Sequence, residues 1–526
     1  MSMSFPSRLR LAAIAAALLV AASAVPTIAA AAAPTARSGI SWQFASSDAE
    51  VDRAFALARQ TGKPVFLYWG AVWCPPCNQV KATLFSRPDF IERSSAFIPV
   101  YIDGDKPGAQ KVAARFKVAG YPTMVLFKSD GSEITRLPGE VDPERYMLTL
   151  ASGLNAQVPV KDLVERGLAR KNLTQEQWRL LAFYSWDTDE QQVLKSSELD
   201  SRLSQLASAV PADLPAVRDR LALKAIAARA RAEKPPEKTT LDGDRVLIEA
   251  LVANAEACRA QTDLLVLYAE PVLKYLATDA VARRMLALKW ESALDKALNG
   301  KQLTRADQID ALDARVVLSK FIDRTDKLSS QRAHAISSEV HRIVAQTNDR
   351  YERQAVVPAA AHVLTAAGLD NESDALLKAE LSRAVAPYYH MLGLAGNAKE
   401  RGDKADALKW YEQAWRKSVG PATRLQWGTG YVRSVIQLTP EDSARIAKLA
   451  RAVIAELEPR SETFFERNQR SLKRMTAQLM QWQGDDPARA KVVGSLRKQL
   501  AGTCAKLPTK DRGRLNCERV FNTNES

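Results

Sequence analysis

Cysteine and histidine are scarce in this sequence, which has five cysteines and four histidines among 526 residues. The histidines all lie beyond residue 330, and none has a cysteine at the spacing that zinc ligands usually take. His334 and His341 could share one helix face, but we interpret them as ordinary helix residues. We therefore predict no bound metal.

Long apolar runs are also missing after the N-terminus, since no later run approaches the ~20 residues of a membrane span. Arg8 and Arg10 precede the apolar run Leu11–Ala22, and small residues follow it. This pattern is typical of a secretory signal peptide. We predict a signal peptide over residues 1–33, a periplasmic or secreted protein, and no membrane span after cleavage. An uncleaved membrane anchor is the alternative, because the alanine-rich stretch continues to Ala33.

A charge of one sign does not dominate any long segment, although the formal net charge is +14. A basic excess can indicate binding to nucleic acid or to an anionic surface. Here lysine and arginine are interspersed with aspartate and glutamate along helical patterns. We interpret this as a solvated protein surface and expect no nucleic-acid partner.

Strand and helix patterns alternate from residue 40 to about residue 155. Val65–Trp69 is an unbroken apolar run, as expected for a strand that is buried on both faces. Phe97–Ile102 and Thr123–Phe127 predict two more strands, and Glu133–Leu137 suits a hairpin partner of the latter. Asp142 predicts the start of a last helix. The segment is therefore predicted to be an α/β domain, with one mixed sheet and helices on both faces.

The stretch "AVWCPPCNQV", residues 71–80, contains two of the five cysteines. Such a pair can be a redox-active dithiol, half of a metal site, or a small structural disulfide. Cys74 lies where a predicted strand and loop give way to a helix, so its sulfur would face free N–H groups and the positive end of the helix dipole. That setting lowers a thiol pKa and favours the reactive thiolate. Pro75 and Pro76 suit the first helical turn, where a missing N–H costs nothing.

Two segments give this domain a resemblance to the thioredoxin-like family: "GKPVFLYWGAVWCPPC" at 62–77 and "VAGYPT" at 118–123. The resemblance covers about a fifth of the chain and is to thioredoxin-like domains of the kind that ends the thiol:disulfide interchange protein DsbD. It implies a thioredoxin fold over 40–155 and a redox function for the cysteine pair.

The resemblance also implies roles for individual residues. Cys74 would be the attacking thiol, and Cys77 would resolve the mixed disulfide. Trp73, Tyr121 and Pro122 would contact the substrate, with Pro122 in the cis form. No cofactor is implied. The expected partners are cysteine-containing exported proteins and a redox partner protein that resets the dithiol.

Two positions depart from the family pattern. Thioredoxins carry a buried acid six residues before the first cysteine, and here that position is Tyr68. The facing strand carries Pro99 where a lysine is expected. The proton of Cys77 must therefore be transferred to water or to another group.

Strand patterns disappear after residue 160, and amphipathic helices follow one another to residue 526, with predicted caps at Thr174 and Thr439. Residues 388–421 resemble a tetratricopeptide repeat (TPR). We predict an irregular, TPR-like α-solenoid with a sub-boundary near 234–238, and it could bind client proteins or only pack. The repeat pattern rests on Leu394, Ala395, Gly402, Ala407, Tyr411 and Ala414.

The remaining three cysteines lie in this helical region. Cys504 and Cys517 enclose a polar loop near the C-terminus, and in an oxidising compartment they are predicted to form a structural disulfide. Cys258 is then unpaired and is interpreted as a buried helix thiol. The leading hypothesis is an exported thiol–disulfide oxidoreductase. The alternative is a helical scaffold or interaction protein with an accessory thioredoxin-like domain.

Overall fold

The computed structural model describes residues 39–522 except 138, 140–141, 233–236, 278, 300–302 and 326. The predicted signal peptide and most of the predicted break at 234–238 lie outside the described residues. The strands are β1 (Gln43–Ala45), β2 (Val65–Gly70), β3 (Ile98–Asp103), β4 (Thr123–Phe127) and β5 (Glu133–Leu137).

Helices account for most of the described chain. They are α1 (Asp48–Thr61), α2 (Pro75–Thr83), α3 (Pro88–Arg93), α4 (Ala109–Arg115), α5 (Pro143–Ala156), α6 (Val160–Leu168), α7 (Gln175–Ala182), α8 (Leu199–Ala209), α9 (Pro215–Ala230), α10 (Lys238–Ala253), α11 (Ala255–Ala260), α12 (Thr262–Leu267), α13 (Ala269–Leu276), α14 (Ala280–Leu298), α15 (Arg305–Asp323), α16 (Ser330–Gln346), α17 (Arg350–Ala366), α18 (Asp370–Glu380), α19 (Pro387–Glu400), α20 (Lys404–Lys417), α21 (Pro421–Leu438), α22 (Ser443–Ala455), α23 (Glu466–Gln483), α24 (Pro487–Cys504) and α25 (Arg512–Glu518).

The five strands form one mixed sheet in the order β1-β3-β2-β4-β5. β2 lies at the centre of the sheet. All six of its residues are buried, as expected for a strand that is covered on both faces. β2 pairs in parallel with β3 and antiparallel with β4. Trp69 of β2 lies opposite Thr123 of β4. The segment after β2 and the segment before β4 therefore meet at the same end of the sheet.

Side chains of β2 alternate between the two faces of the sheet, as the pleat dictates. Val65, Leu67 and Trp69 pack in one apolar cluster with residues of α1 and α4. Phe66 and Tyr68 pack in a second cluster with residues of α2, α3 and α5. The predicted α/β domain with helices on both faces is confirmed.

All regular structure of the described residues beyond β5 is helical. The prediction of a helical region after the α/β domain is therefore confirmed, whereas the repeat character of that region stays a prediction. The helices α19 and α20, which carry the repeat-like motif, pack closely through Ala395, Ala407 and Ala414, which are fully buried. Gly402 turns the chain between them with a φ of 78°.

The two predicted helix caps have different outcomes. Thr174 caps α7 as predicted, with its hydroxyl accepting from the Gln177 amide. The prediction at Thr439 was wrong, because α21 continues to Leu438 and Thr439 only ends it. Asp442 caps the next helix instead, accepting from the Arg445 amide at 3.0 Å.

In the described part of the chain we find no helix with the length and apolar character needed to cross a membrane.

Candidate active site

Cys74 is the N-cap residue of α2. Its backbone is extended, with φ −68° and ψ 116°, and its sulfur accepts a hydrogen bond from the Cys77 amide at 3.2 Å. Pro75 and Pro76 occupy the first helical turn and have no N–H of their own. When the pair is reduced, the Cys77 amide and the helix dipole would stabilise negative charge on the Cys74 sulfur.

Cys77 lies one turn into α2 and has no exposed surface. The structure joins the two sulfurs in a disulfide, with the Cα atoms 5.2 Å apart. Asn78 holds the loop in front of the helix, since its Nδ2 donates to the carbonyls of Val72 at 2.8 Å and Cys74 at 2.9 Å. The pair thus occupies a fixed geometry in which each sulfur can attack or release the other.

Tyr121 and Pro122 lie at the same end of the sheet as the cysteine pair, because they directly precede β4. The peptide bond between them is cis. The ring of Trp73 lies 6.4 Å from that of Tyr121, and the Tyr121 hydroxyl accepts from Gln110 Nε2 at 2.7 Å. The structure therefore gathers Trp73, Tyr121 and Pro122 at the sheet end that carries the cysteine loop.

Tyr68 occupies the position where thioredoxins are expected to carry an acid. Its ring stacks on Tyr101 at 5.1 Å, and its buried hydroxyl has no hydrogen-bond partner among the described residues. Burial raises the pKa of Tyr68 well above its ordinary value, and the nearby Tyr101 and Asp103 raise it further. The phenol is therefore neutral at physiological pH and cannot act as a base for the proton of Cys77.

Asp105 follows β3 and is a site residue that the sequence analysis missed. One carboxylate oxygen accepts from Trp73 Nε1 at 3.1 Å, and the other accepts from the Thr423 hydroxyl on α21. Burial raises the pKa of Asp105 to about 6, and the charge of Asp103 adds to this rise. The two hydrogen bonds and the charge of Arg467 on α23 oppose it. Asp105 therefore links the α/β domain to the helical region.

We expect the substitution Asp105→Asn to remove a pH dependence from the stability of the protein. The raised pKa means that the folded state holds the proton more tightly than the unfolded state. Protonated Asp105 therefore contributes about 2 to 3 kcal/mol to the free energy of unfolding below pH ~4. This contribution is lost as the pH rises through ~6. The free energy of unfolding in urea, measured from pH 4 to 7 for both proteins, should show a difference that changes across this interval. Parallel curves would contradict the assignment of that pKa to Asp105.

The helical region lies over Trp73. The ring of Tyr389 on α19 stacks on it at 5.9 Å, and the ring of Trp427 on α21 meets it edge-on at 5.0 Å. The guanidinium of Arg467 lies 4.9 Å from the Trp73 ring centre and 4.7 Å from that of Tyr121. Trp73 is consequently only 7% exposed. Trp427 is a further site residue that the sequence analysis did not identify.

Two backbone carbonyls of the α/β domain also accept hydrogen bonds from the helical region. Gln354 on α17 donates to the Trp73 carbonyl at 3.3 Å and accepts from the Ala386 amide at 3.1 Å. Arg470 on α23 donates to the Ala119 carbonyl at 2.8 Å. Contacts from α17, α19, α21 and α23 thus converge on the segments that flank Cys74, which is 2% exposed.

The other predicted site residues lie elsewhere. Cys504 ends α24 and Cys517 lies in α25, and the structure joins them, with a Cα separation of 5.7 Å. Cys258 is a buried, unpaired thiol in α11, and burial raises its pKa to about 11. Within the described residues, no three histidine, cysteine or acidic side chains come close enough together to hold a metal ion.

Residues 51–152 match the family model of the thioredoxin-like domain. Thiol:disulfide interchange protein DsbD 1 of Pseudomonas aeruginosa is 32% identical over 105 residues, which are 19% of this chain and 18% of that protein. DsbD 2 of the same organism is 30% identical over 118 residues, 22% of this chain and 20% of that protein. This chain therefore matches about a fifth of the length of these curated relatives.

Among solved structures, DsbH oxidoreductase aligns with 23% of this chain and 90% of its own, at 21% identity and a TM-score of 0.20. A thioredoxin from Thermus thermophilus aligns with 18% of this chain and 77% of its own, at 28% identity and a TM-score of 0.17. Residues 51–152 of this chain form a thioredoxin-like domain that resembles the thioredoxin domain of DsbD, and a large helical region follows it.

Proposed function

We propose that this protein is an exported thiol–disulfide oxidoreductase that exchanges disulfides with protein substrates through Cys74 and Cys77. The observation that carries the proposal is the position of Cys74 at the N-terminus of α2, where its sulfur accepts from the Cys77 amide. The match to DsbD, whose name describes thiol:disulfide interchange, supports the same chemistry. No cofactor takes part.

The reaction balances within the cysteine pair and the substrate. In the reduced protein, the Cys74 thiolate attacks one sulfur of a substrate disulfide, and the other substrate sulfur leaves as a thiolate. Cys77, after losing its proton, attacks the Cys74 sulfur and releases the second substrate thiolate. The substrate disulfide gains two electrons, and the pair becomes a disulfide. A redox partner protein reduces the pair again, and the reverse sequence oxidises a substrate dithiol.

Proton transfer from Cys77 falls to water or to a group other than Tyr68, because the buried phenol stays protonated. The direction of transfer follows from the reduction potential of the pair relative to its partners. Measuring that potential in the full-length protein assigns the direction.

Export is supported by the N-terminal pattern of Arg8 and Arg10 before an apolar run and small residues. The pairing of Cys504 with Cys517 supports it too, because structural disulfides persist in oxidising compartments. Periplasmic or secreted protein substrates fit this location.

The second candidate is a helical scaffold or interaction protein in which the thioredoxin-like domain is accessory. It is favoured by one observation, the burial of Cys74, because a cysteine that is 2% exposed does not meet a substrate in this arrangement. The two candidates differ in whether Cys74 ever forms a bond to another protein.

We expect the variant Cys77→Ala to accumulate mixed disulfides between Cys74 and other proteins, because the resolving thiol is missing. The measurement is non-reducing electrophoresis followed by mass spectrometry of the peptide that carries Cys74. The control is Cys74→Ala with Cys77 intact, which should trap little because Cys77 is fully buried. If neither variant forms mixed disulfides with other proteins, the scaffold function is favoured.

A further inference from the structure

We infer that four helices form a cover over the Cys74–Cys77 pair, and that a disulfide-bearing polypeptide must displace this cover before it can exchange. The inference rests on the proposed function, because it concerns how the same two sulfurs are reached. The cover consists of Gln354 on α17, Tyr389 on α19, Thr423 and Trp427 on α21, and Arg467 and Arg470 on α23.

The first argument is access to the sulfur. Cys74 is 2% exposed and Cys77 is not exposed at all. Exchange requires the Cys74 thiolate to come within bonding distance of a substrate sulfur, so its rate depends on access to that atom. A folded protein cannot bring a disulfide to Cys74 while the helices are in place. The pair and a protein partner therefore meet only after the cover has moved.

The second argument is competition for the same polar groups. Gln354 Nε2 donates to the Trp73 carbonyl, and Arg470 Nη2 donates to the Ala119 carbonyl. An extended polypeptide has backbone N–H groups that can donate to these carbonyls in the same way. The guanidinium of Arg467 occupies the space beside Trp73 and Tyr121. The cover and an extended substrate chain therefore cannot occupy the groups around Trp73 at the same time.

The third argument is that polar contacts accompany the apolar packing of Trp73, Cys74 and Cys77 against the helices, and that a cavity lies beside these polar contacts. Asp105 accepts from Thr423, and the Gln110 side chain accepts from the Arg467 amide at 3.1 Å. A cavity of about 560 Å³ opens next to these bonds, lined by Lys106 on one side and Arg424 on the other. Water can replace polar contacts of this kind, and the buried Arg467 regains hydration when they separate. The polar contacts therefore add less to the free energy of opening than aliphatic contacts of equal area would add.

The test measures how fast Cys74 is modified in the full-length chain. Cys77→Ala is introduced to keep Cys74 a free thiol, and the probe is a maleimide attached to polyethylene glycol. Peptide mass spectrometry gives the rate at Cys74. We expect Thr423→Val and Arg467→Met each to raise the modification rate of Cys74 about tenfold. Each substitution removes one contact of the cover, and the loss of about 1.4 kcal/mol corresponds to a tenfold change.

The matched control is Arg474→Met, which makes the same substitution two turns further along α23, at an exposed position. It should leave the rate unchanged. If the protein with an intact cover reacts as fast as both cover variants, the inference is overturned. Thr423→Val keeps both guanidinium groups of the cover, and because loss of its hydrogen bond raises the pKa of Asp105 from about 6, the rates are compared at a pH well above that value, where the carboxylate is ionised.

A second measurement needs no substitution at the cover and so does not depend on how such variants fold. The unsubstituted protein, with its 74–77 pair first reduced, is mixed with increasing concentrations of a disulfide-bonded protein such as insulin. We expect the exchange rate to level off at the rate of cover opening, and to reach the same plateau with a second, unrelated protein substrate. Linear rates, or different plateaus for the two substrates, would overturn the inference.

The two proposals fail in different ways. Cover variants that are modified rapidly at Cys74 in the Cys77→Ala background, but exchange no disulfide when Cys77 is present, would support the cover and refute the proposed function. Linear exchange with protein substrates, combined with rapid modification of Cys74 under an intact cover, would support the function and refute the cover.

Discussion

The double variant Cys74→Ala, Cys77→Ala is expected to exchange a small disulfide at no more than the uncatalysed rate while remaining folded. Only a thiolate attacks a disulfide sulfur, and the remaining candidates are unsuitable. Cys258 is buried with its pKa raised to about 11, and Cys504 is bonded to Cys517. Loss of both Cys74 and Cys77 is therefore expected to abolish disulfide exchange rather than to slow it.

A small disulfide is the appropriate substrate for this measurement, because its size makes it least sensitive to the cover. A single turnover is started with previously reduced protein and followed by the release of the coloured thiol, and folding is checked by the far-ultraviolet circular dichroism of the helical region. Cys258→Ala serves as the control and should retain the activity of the unsubstituted protein. Undiminished turnover in the double variant would place the chemistry elsewhere in the chain.

The variant Cys504→Ala, Cys517→Ala is expected to lose about 3 kcal/mol of stability, as chain entropy predicts for a loop of this length. The disulfide closes a loop between residues 13 positions apart in sequence. It ties α25 to α24, and both cysteines are buried in the apolar cluster of the C-terminal helices. Without the bond, the unfolded chain gains freedom that folding must remove.

The free energy of unfolding in urea measures this effect, with reduced and oxidised samples of the Cys74→Ala, Cys77→Ala variant as a matched pair, since only the terminal bond differs between them. Replacing the two cysteines and reducing their disulfide should lower the free energy of unfolding by a similar amount. Non-reduced peptides that show Cys504 and Cys517 as free thiols in protein isolated without reductant would contradict the prediction. The dithiol at 74–77 should keep its small-disulfide activity in this variant, because the terminal bond lies outside the active site.

Placing the dithiol under the helical region has a consequence for selectivity. An exposed thiolate reacts with any disulfide that reaches it, whereas a covered one reacts only as fast as the cover opens. Asp105 lies at the junction, bonded to Trp73 of the active-site loop and to Thr423 of α21. The reactivity of the cysteine pair is therefore expected to depend on residues more than 300 positions away in the sequence.

The amino-acid sequence by itself determined the architecture of the first domain and the position of its chemistry. Local patterns were sufficient to predict β2 from its apolar run, β5 from the polar turn before it, and the start of α5 from Asp142. Each of these signals lies within a short segment of the chain. The CPPC motif and the later Gly-Tyr-Pro-Thr are likewise local signals. Their meeting at one sheet end follows from the pairing of Trp69 with Thr123.

Only the tertiary structure decided what surrounds the cysteine pair. Gln354, Tyr389, Thr423 and Arg467 belong to different helices, each with an unremarkable amphipathic pattern. A helical pattern predicts which face is buried but not which surface that face contacts, because apolar burial has no direction. Trp427 could thus be predicted as buried, but its contact with Trp73 at 5.0 Å depends on how the helical region packs against the thioredoxin-like domain.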